Sequence, residues 1–401
     1  MNAPEQAMAP PTDPGISRDE VKLRSKLATA RRLESLPLIA ALILVVVVFQ
    51  LINGLFLNPR NLVNLLTELA PLAFIAMAST VMIIMGEIDL SLGSLAGLTG
   101  AVLAALLAQA GMPWPVAVGL AFVVGIGISG LQGIIVVGGR VRSFAVTLAG
   151  YLVWYGTQLA VLGASGYIPL RREPINLLSL ARIPEAVSLG VVGIGGAIVV
   201  FLWLKSFRRA MAPSLSALVI RAAVGIVTVA ALLWLVTYLE QGGGVPLVFA
   251  IVLAVTTGVW IVLTRTAFGR HLYAVGGDLH AARESGININ KVKWIGFAAS
   301  GALATCAGIS LLSYTGGADT SAGTGALLLA GIGATVVGGV SLTGGRGSLW
   351  GAFGGAILLE AVGNGLNLMS LSFYAVYIVE GLVVLAALLT DAGLRRRLAS
   401  R

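Results

Sequence analysis

PLIAALILVVVVFQLINGLFL, residues Pro37–Leu57, carries no charged side chain over 21 positions. A helix rises about 1.5 Å per residue, so a run of this length crosses the roughly 30 Å hydrocarbon core of a bilayer. The run starts too far from the N-terminus for a secretory signal, and no convincing small-residue cleavage site follows it. It reads as a retained membrane span. Further apolar runs follow at about 62–85, 91–110, 114–137, 144–164, 187–204, 217–239, 246–264, 295–314, 326–343, 348–368 and 373–390, making about 12 spans. Lipid offers the backbone no hydrogen-bond partners, so each run is expected to be helical and the fold to be an all-α polytopic bundle. Composition agrees. Of 401 residues, 57% are hydrophobic and 11% charged, against about 25% charged in globular proteins. The 52 glycines suit helices that pack through small residues.

The formal charge of +9 would suggest a nucleic-acid partner if it were gathered in one patch. Instead the basic residues punctuate the apolar runs, as cytoplasmic loops do, and the partner expected for them is acidic lipid. With the N-terminus inside and twelve crossings, 22 of the 26 basic residues fall on the cytoplasmic side. Only Arg60, Arg171, Arg172 and Arg182 fall outside. Both termini are therefore expected in the cytoplasm. The organisation that follows is a disordered basic cytoplasmic tail over 1–34, a transmembrane domain over 35–391 and a second basic tail over 392–401. The single cysteine, Cys306, can form no intrachain disulfide and lies in an apolar run as a small buried side chain.

Gly93–Gly100 and Gly347–Gly354 both read G-S-L-x-G-x-x-G, and both open spans of the same direction. Either the chain carries a parallel internal repeat, or a glycine-rich membrane sequence has produced the pattern twice.

No catalytic constellation stands out. The two histidines, His271 and His280, share one loop with no cysteine pair, so no metal site is expected. The nearest approach to a phosphate-binding loop, Gly339–Gly344, is followed by Gly345 where a lysine is needed. The chain is not expected to hydrolyse ATP or to act as an enzyme.

Two segments carry the polar chemistry. The first, Gly86-Glu87-Ile88-Asp89-Leu90-Ser91-Leu92-Gly93-Ser94, sets two carboxylates and two hydroxyls between apolar runs. Such groups line a polar path or gate, or they cap the following helix through Asp89 and Ser91. The second is the long loop Arg265–Lys293. There Gly276-Gly277 is expected to break the chain, Asp278 to cap a short helix through Ala281, Ala282, Arg283 and Glu284, and Gly286 to stop it. A short capped helix held off the membrane suits docking of a cytoplasmic partner. Within the spans, Asn64, Glu68, Gln132, Gln158, Asn364 and Asn367 are candidates to face solute or to bond neighbouring helices.

These segments carry a resemblance. Gly86–Ser94 resembles the G-G-I-D-L-S-x-G-S signature of monosaccharide permeases of the ribose/xylose/galactose importer family. Phe268–Val292 resembles that family's G-R-x-x-Y-A-x-G-G-x-x-x-A-A-R-x-x-G-I-N-x-x-x-V segment. Gly338–Ser348 is similar to its G-G-T-S-L-x-G-G-x-G-S element, and Asn364–Leu368 to its N-G-M-N-L run. The matches extend from about Asn58 to Leu389, and an insertion with two spans over 187–240 looks like the xylose-type members. The resemblance implies an ABC importer permease of the bacterial inner membrane. Its partners would be a second permease subunit, usually an identical copy, a cytoplasmic ATP-binding subunit and a periplasmic or extracellular sugar-binding protein. The chain would bind no cofactor, ATP and Mg being used by the partner ATPase. Ala281-Ala282 to Gly286 would be the coupling helix, with Gly276, Gly277, Asp278 and Arg283 around it. Glu87, Asp89, Ser91, Gly93, Ser94, Asn64, Asn364 and Asn367 are the candidates for the translocation path or gate. Position 87 departs from the pattern, which commonly has glycine there. The solute would be a pentose such as xylose, or a hexose. The alternatives are a branched-chain amino-acid permease of the same fold, a proton-coupled carrier working through Glu87 and Asp89, and a non-transporting membrane assembly protein.

Overall fold

The computed structural model describes residues 36–170, 174–211 and 215–399; the tail expected over 1–34 lies outside them. All twelve apolar runs form helices: α1 (Leu36–Asn53), α2 (Pro59–Ile84), α3 (Leu92–Ala108), α4 (Trp114–Gly139), α5 (Ser143–Leu162), α6 (Glu185–Met211), α7 (Leu215–Glu240), α8 (Leu247–Arg265), α11 (Ile289–Thr315), α12 (Gly325–Val337), α13 (Leu349–Leu368) and α14 (Phe373–Ala399). Between α8 and α11 lie two shorter helices, α9 (Ala267–Gly277) and α10 (Leu279–Glu284). Eight of the described helices are long and apolar enough to cross a membrane, and α1, α3, α12 and α14 provide shorter apolar stretches.

α2 and α11 form the centre. Burial covers 94% of the apolar window of α2 and 67% of that of α11, but only 6% and 11% of those of α6 and α7. A helix apolar on every side must be wrapped by protein or by lipid, and these two pairs show the two outcomes. Small residues set the central crossings. A Cβ on Gly301 of α11 would lie 2.5 Å from the carbonyl oxygen of Gly125 in α4, and one on Gly308 2.2 Å from that of Ala96 in α3. Backbone contact of this kind replaces the hydrophobic drive that lipid removes.

The loops gather at two ends. At one end, β1 (Tyr167–Pro169) pairs antiparallel with β2 (Gly317–Asp319), beyond a left-handed Gly316 that ends α11. The same end holds Ile183 N–H donating to Val245 O (2.9 Å) and Leu247 N–H to Ala181 O (3.0 Å), and Asn53 Nδ2 donating to Leu368 O (2.9 Å). At the other end, the α9–α10 hairpin meets the break between α2 and α3 and the segment joining α12 to α13.

Several boundaries differ from expectation. The tenth span stops at Val337. Residues 338–348 are non-helical, with Gly339, Gly344 and Gly345 at φ +84°, +83° and +68°, and Leu342, Thr343 and Arg346 among them are exposed. Gly276-Gly277 does not break the chain but finishes α9, an eleven-residue helix. The last helix continues to Ala399, so 392–399 are helical and extend it. The two G-S-L-x-G-x-x-G copies start their helices about one turn out of phase. Ser348 is the N-cap of α13, whereas its counterpart Ser94 lies inside α3 and donates to Ser91 O (2.9 Å).

Candidate functional site

At the hairpin end, glycines bring three segments into backbone contact. The N–H of Gly345 donates to Ile84 O at the end of α2 (2.9 Å). A Cβ on Gly276 would stand 1.8 Å from that same oxygen and 2.8 Å from Gly345 N. Tyr273 of α9 donates its hydroxyl to Gly347 O (2.9 Å). α10 forms as its sequence requires: Asp278 Oδ1 accepts from the N–H groups of His280 (2.9 Å) and Ala281 (3.0 Å). Those bonds, Ala281's first, hold the Asp278 carboxyl below the ordinary carboxylate range. Gly286, at φ +77°, turns the chain away. Ala281 and Arg283 are exposed. Ala282 is 3% exposed and packs into the hairpin's own core, where it supports the helix.

The break over residues 85–91 is pinned to α5. Ile88 N–H donates to Ser143 Oγ (3.3 Å) and Leu90 N–H to Thr147 Oγ1 (3.1 Å). Asp89 and Ser91 are buried. Asp89 Oδ1 accepts from both the N–H (2.8 Å) and the hydroxyl (2.7 Å) of Ser91, and the same hydroxyl reaches Gln132 Oε1 at 3.1 Å. Asp89 thus closes the turn ahead of α3, and Ser91 makes no side-chain cap to the helix. Gly93 lies against Leu328 of α12. Glu87 forms an ion pair with Lys293 of α11.

Towards the ribbon end, a cavity of about 380 Å³ opens among α2, α11, α12, α13 and α14. Glu68, Tyr314, Asp319, Glu360, Asn367 and Glu380 line it, with Tyr377 beside them. The Tyr314 hydroxyl donates to Glu68 Oε1 (2.6 Å). Gly363 leaves space for Glu380, whose Oε1 lies 3.1 Å from where a Cβ would stand. Among the described residues no lysine, arginine or histidine lines the cavity, and no group of three potential ligands is arranged for a metal ion. Carboxyl and tyrosine hydroxyl groups can exchange hydrogen bonds with hydroxyl groups, so this wall is suited to a polyhydroxy solute, and tyrosine faces to C–H surfaces.

The structure therefore separates the candidate residues. Glu68 and Asn367 reach the cavity, Glu87, Asp89 and Ser91 gather at the hairpin end with Ser94 one turn into α3, and Gly93 lies against Thr324, which lines the cavity. Asn364 is buried and accepts from Asn61 Nδ2 (2.8 Å), which also donates to Phe56 O (2.8 Å). Asn64 is exposed and outside the cavity lining; Asn61, three residues earlier, is the inward asparagine. Gln158 ties α5 to the segment after β2 through Asp319 O (3.0 Å) and Ala322 O (2.5 Å). Hydrogen bonds between membrane helices contribute about 0.6–2 kcal/mol. Asn61→Leu is accordingly expected to lower stability by about 1 kcal/mol, read as a lower Tm of the detergent-solubilised chain. Glu360, Glu380, Tyr314 and Tyr377 were absent from the sequence candidates. The signal for the two glutamates was present, a carboxylate inside an apolar run.

A polytopic helical bundle with a polar cavity between its central helices and a capped hairpin at one end is the arrangement of a membrane permease. Residues 61–388 match the branched-chain amino acid transport system permease component family, and the chain belongs to that family. It is similar to the xylose transport system permease protein XylH of Escherichia coli K12, with 34% identity over 403 residues covering 99% of each chain. The xylose transport system permease protein XylH of Haemophilus influenzae is 33% identical over 352 residues, 86% of this chain and 92% of the relative. The ribose import permease protein RbsC of E. coli K12 is 33% identical over 376 residues, 94% of this chain and 99% of the relative. No solved structure matches the chain significantly.

Proposed function

We propose that the chain is the permease subunit of an inner-membrane ATP-binding-cassette importer that carries a monosaccharide, a pentose such as xylose or a hexose, into the cell. The observation that carries this reading is the cavity rich in hydrogen-bonding oxygens and, among the described residues, free of lining cations. A sugar brings hydroxyl donors to such a wall and no net charge. A branched-chain amino acid is also neutral overall; its ammonium would suit the wall, but its carboxylate would meet carboxyl groups and, among the described residues, no lining cation. The names of the xylose and ribose relatives point the same way. A separate ATPase supplies the energy and uses the ATP and Mg. It docks on the α9–α10 hairpin through Ala281, Arg283 and their exposed neighbours, and a binding protein delivers sugar at the ribbon end. A second copy of the chain completes the membrane unit.

In the path this requires, the chain crosses twelve times with both ends in the cytoplasm and the hairpin end inside. Support comes from the bonds between loops. Val245 with Ile183, Asn53 with Leu368 and Gly345 with Ile84 each join segments that such a path places on one side. The excess of basic residues lies on the hairpin side.

The test is uptake of labelled xylose by the whole importer in vesicles. Glu360→Gln is expected to lower uptake about tenfold, the worth of one hydrogen bond made along the path, with the chain still inserted. Unlabelled ribose should compete; xylonate and leucine, which carry carboxylates, should not. Full uptake by the variant, or competition by leucine, would sink the reading.

A further inference from the structure

Glu87 stands where the resembling pattern has glycine, and the structure gives it a partner at a telling place. Its carboxylate pairs with Lys293. The two side chains are only 11% and 18% exposed, so water screens the pair less than it would on an open surface. Lys293 is the fifth residue of α11, immediately beyond Gly286 and the Asn288 cap through which α10 runs into that helix. Glu87 lies in the break between α2 and α3, whose neighbouring N–H groups are fastened to α5. The hairpin thus grips this break on both of its own sides. On its way in, Gly276 abuts Ile84 through backbone alone; on its way out, Lys293 holds Glu87 through charge.

We infer that Glu87 and Lys293 are a positioning pair for transport, the second of two attachments by which movement of the α9–α10 hairpin is passed to the break ahead of α3. The pair touches neither the cavity nor the docking face. It rests on the coupling role proposed for the hairpin, and it adds to that role a specific route. Through Gly276 the hairpin meets only the start of the break, at Ile84 and Gly86; the ion pair attaches the hairpin directly to Glu87, next to the N–H groups that α5 holds. Displacement of the hairpin then has to carry Asp89 and Ser91 with it, and through Ser91 the hydroxyl contact to Gln132 in α4.

The experiment compares Glu87→Gln, Lys293→Gln and the exchanged pair Glu87→Lys with Lys293→Glu. Each is assembled as the whole importer with its ATPase and binding protein, and labelled xylose is the probe. Both single variants should lose about tenfold in sugar carried per ATP hydrolysed, a coupling change of ordinary size. Their ATPase should still co-purify, and ATP hydrolysis stimulated by the binding protein should persist. The exchanged pair should recover the ratio to within about threefold of the parent, since the Coulomb attraction survives reversal of both signs. A merely structural role would lower uptake and ATP hydrolysis together. That result, parental ratios in the single variants, or no recovery on exchange would each overturn the inference. Failure of the underlying docking proposal is seen separately, as ATPase binding and uptake that survive Ala281→Trp.

Discussion

Gly276→Ala is expected to abolish uptake and to destabilise the purified chain by about 3 kcal/mol or more, at the top of the usual range for overpacking. The added methyl would lie 1.8 Å from Ile84 O and 2.8 Å from Gly345 N, and neither is the end of a flexible side chain. Both atoms are already committed to one another in a 2.9 Å hydrogen bond, so relief for the methyl means parting the end of α2 from the segment between α12 and α13. Gly277→Ala is the matched control. Its Cβ would meet nothing nearer than Gly345 Cα at 3.9 Å, an ordinary contact, and a change within about 0.5 kcal/mol is expected. Thermal unfolding in detergent, with vesicle uptake beside it, decides the matter. Equal behaviour of the two alanine variants would mean that the hairpin does not press on the break as described.

Ala281→Trp should lower ATP-driven uptake by more than about a hundredfold, roughly 2.7 kcal/mol of lost contact free energy, while leaving the chain folded and inserted. Ala281 is on the exposed side of a helix whose start is fixed by Asp278, so an indole there has room in the isolated chain and obstructs only a partner. Ala282→Trp should behave in the opposite sense. Its methyl is 3% exposed beside Leu272, Val275 and Ile289 in the same cluster, and enlarging it strains the hairpin itself, costing about 1–3 kcal/mol of stability. Co-purification of the ATPase and the melting temperature, measured on both variants, separate the two roles. If Ala281→Trp retains its ATPase and transports normally, the docking face has been misplaced.

The difference between Ala281 and Ala282 shows where sequence alone runs out. Twelve helices were legible because lipid leaves an apolar run of some twenty residues little choice, and Asp278 and Gly286 announced the ends of α10 through capping chemistry that is local by nature. Which alanine faced outward depended on how α10 folds back against α9 and α11, a tertiary fact. Residues 338–343 were read as the end of a helix for a related reason. Hydropathy counts Val340 and Leu342 as apolar wherever they lie, while the positive φ of Gly339, Gly344 and Gly345 is a property of backbone that no hydropathy sum contains. Asn61 and Asn64 share one polar stripe with Arg60, Thr67 and Glu68, so the stripe could not tell them apart. The cavity was half visible. Glu360 and Glu380 could each be seen as a carboxylate within an apolar run, but their convergence with Glu68 and Tyr314 joins four helices far apart in the chain.

The α6–α7 pair leaves and rejoins the bundle through one narrow neck. Ala181 and Ile183 on the way out are hydrogen-bonded to Leu247 and Val245 on the way back, and beyond that neck the two helices meet mainly each other and acyl chains. An appendage tied off in this manner is free to be lengthened, exchanged or cut away without re-threading anything behind it, and the even number of crossings it adds leaves every later helix pointing the same way. Its sequence answers to the lipid around it more than to the solute. Drift there is expected to record the history of the membrane, while drift in the central helices records the history of the cargo.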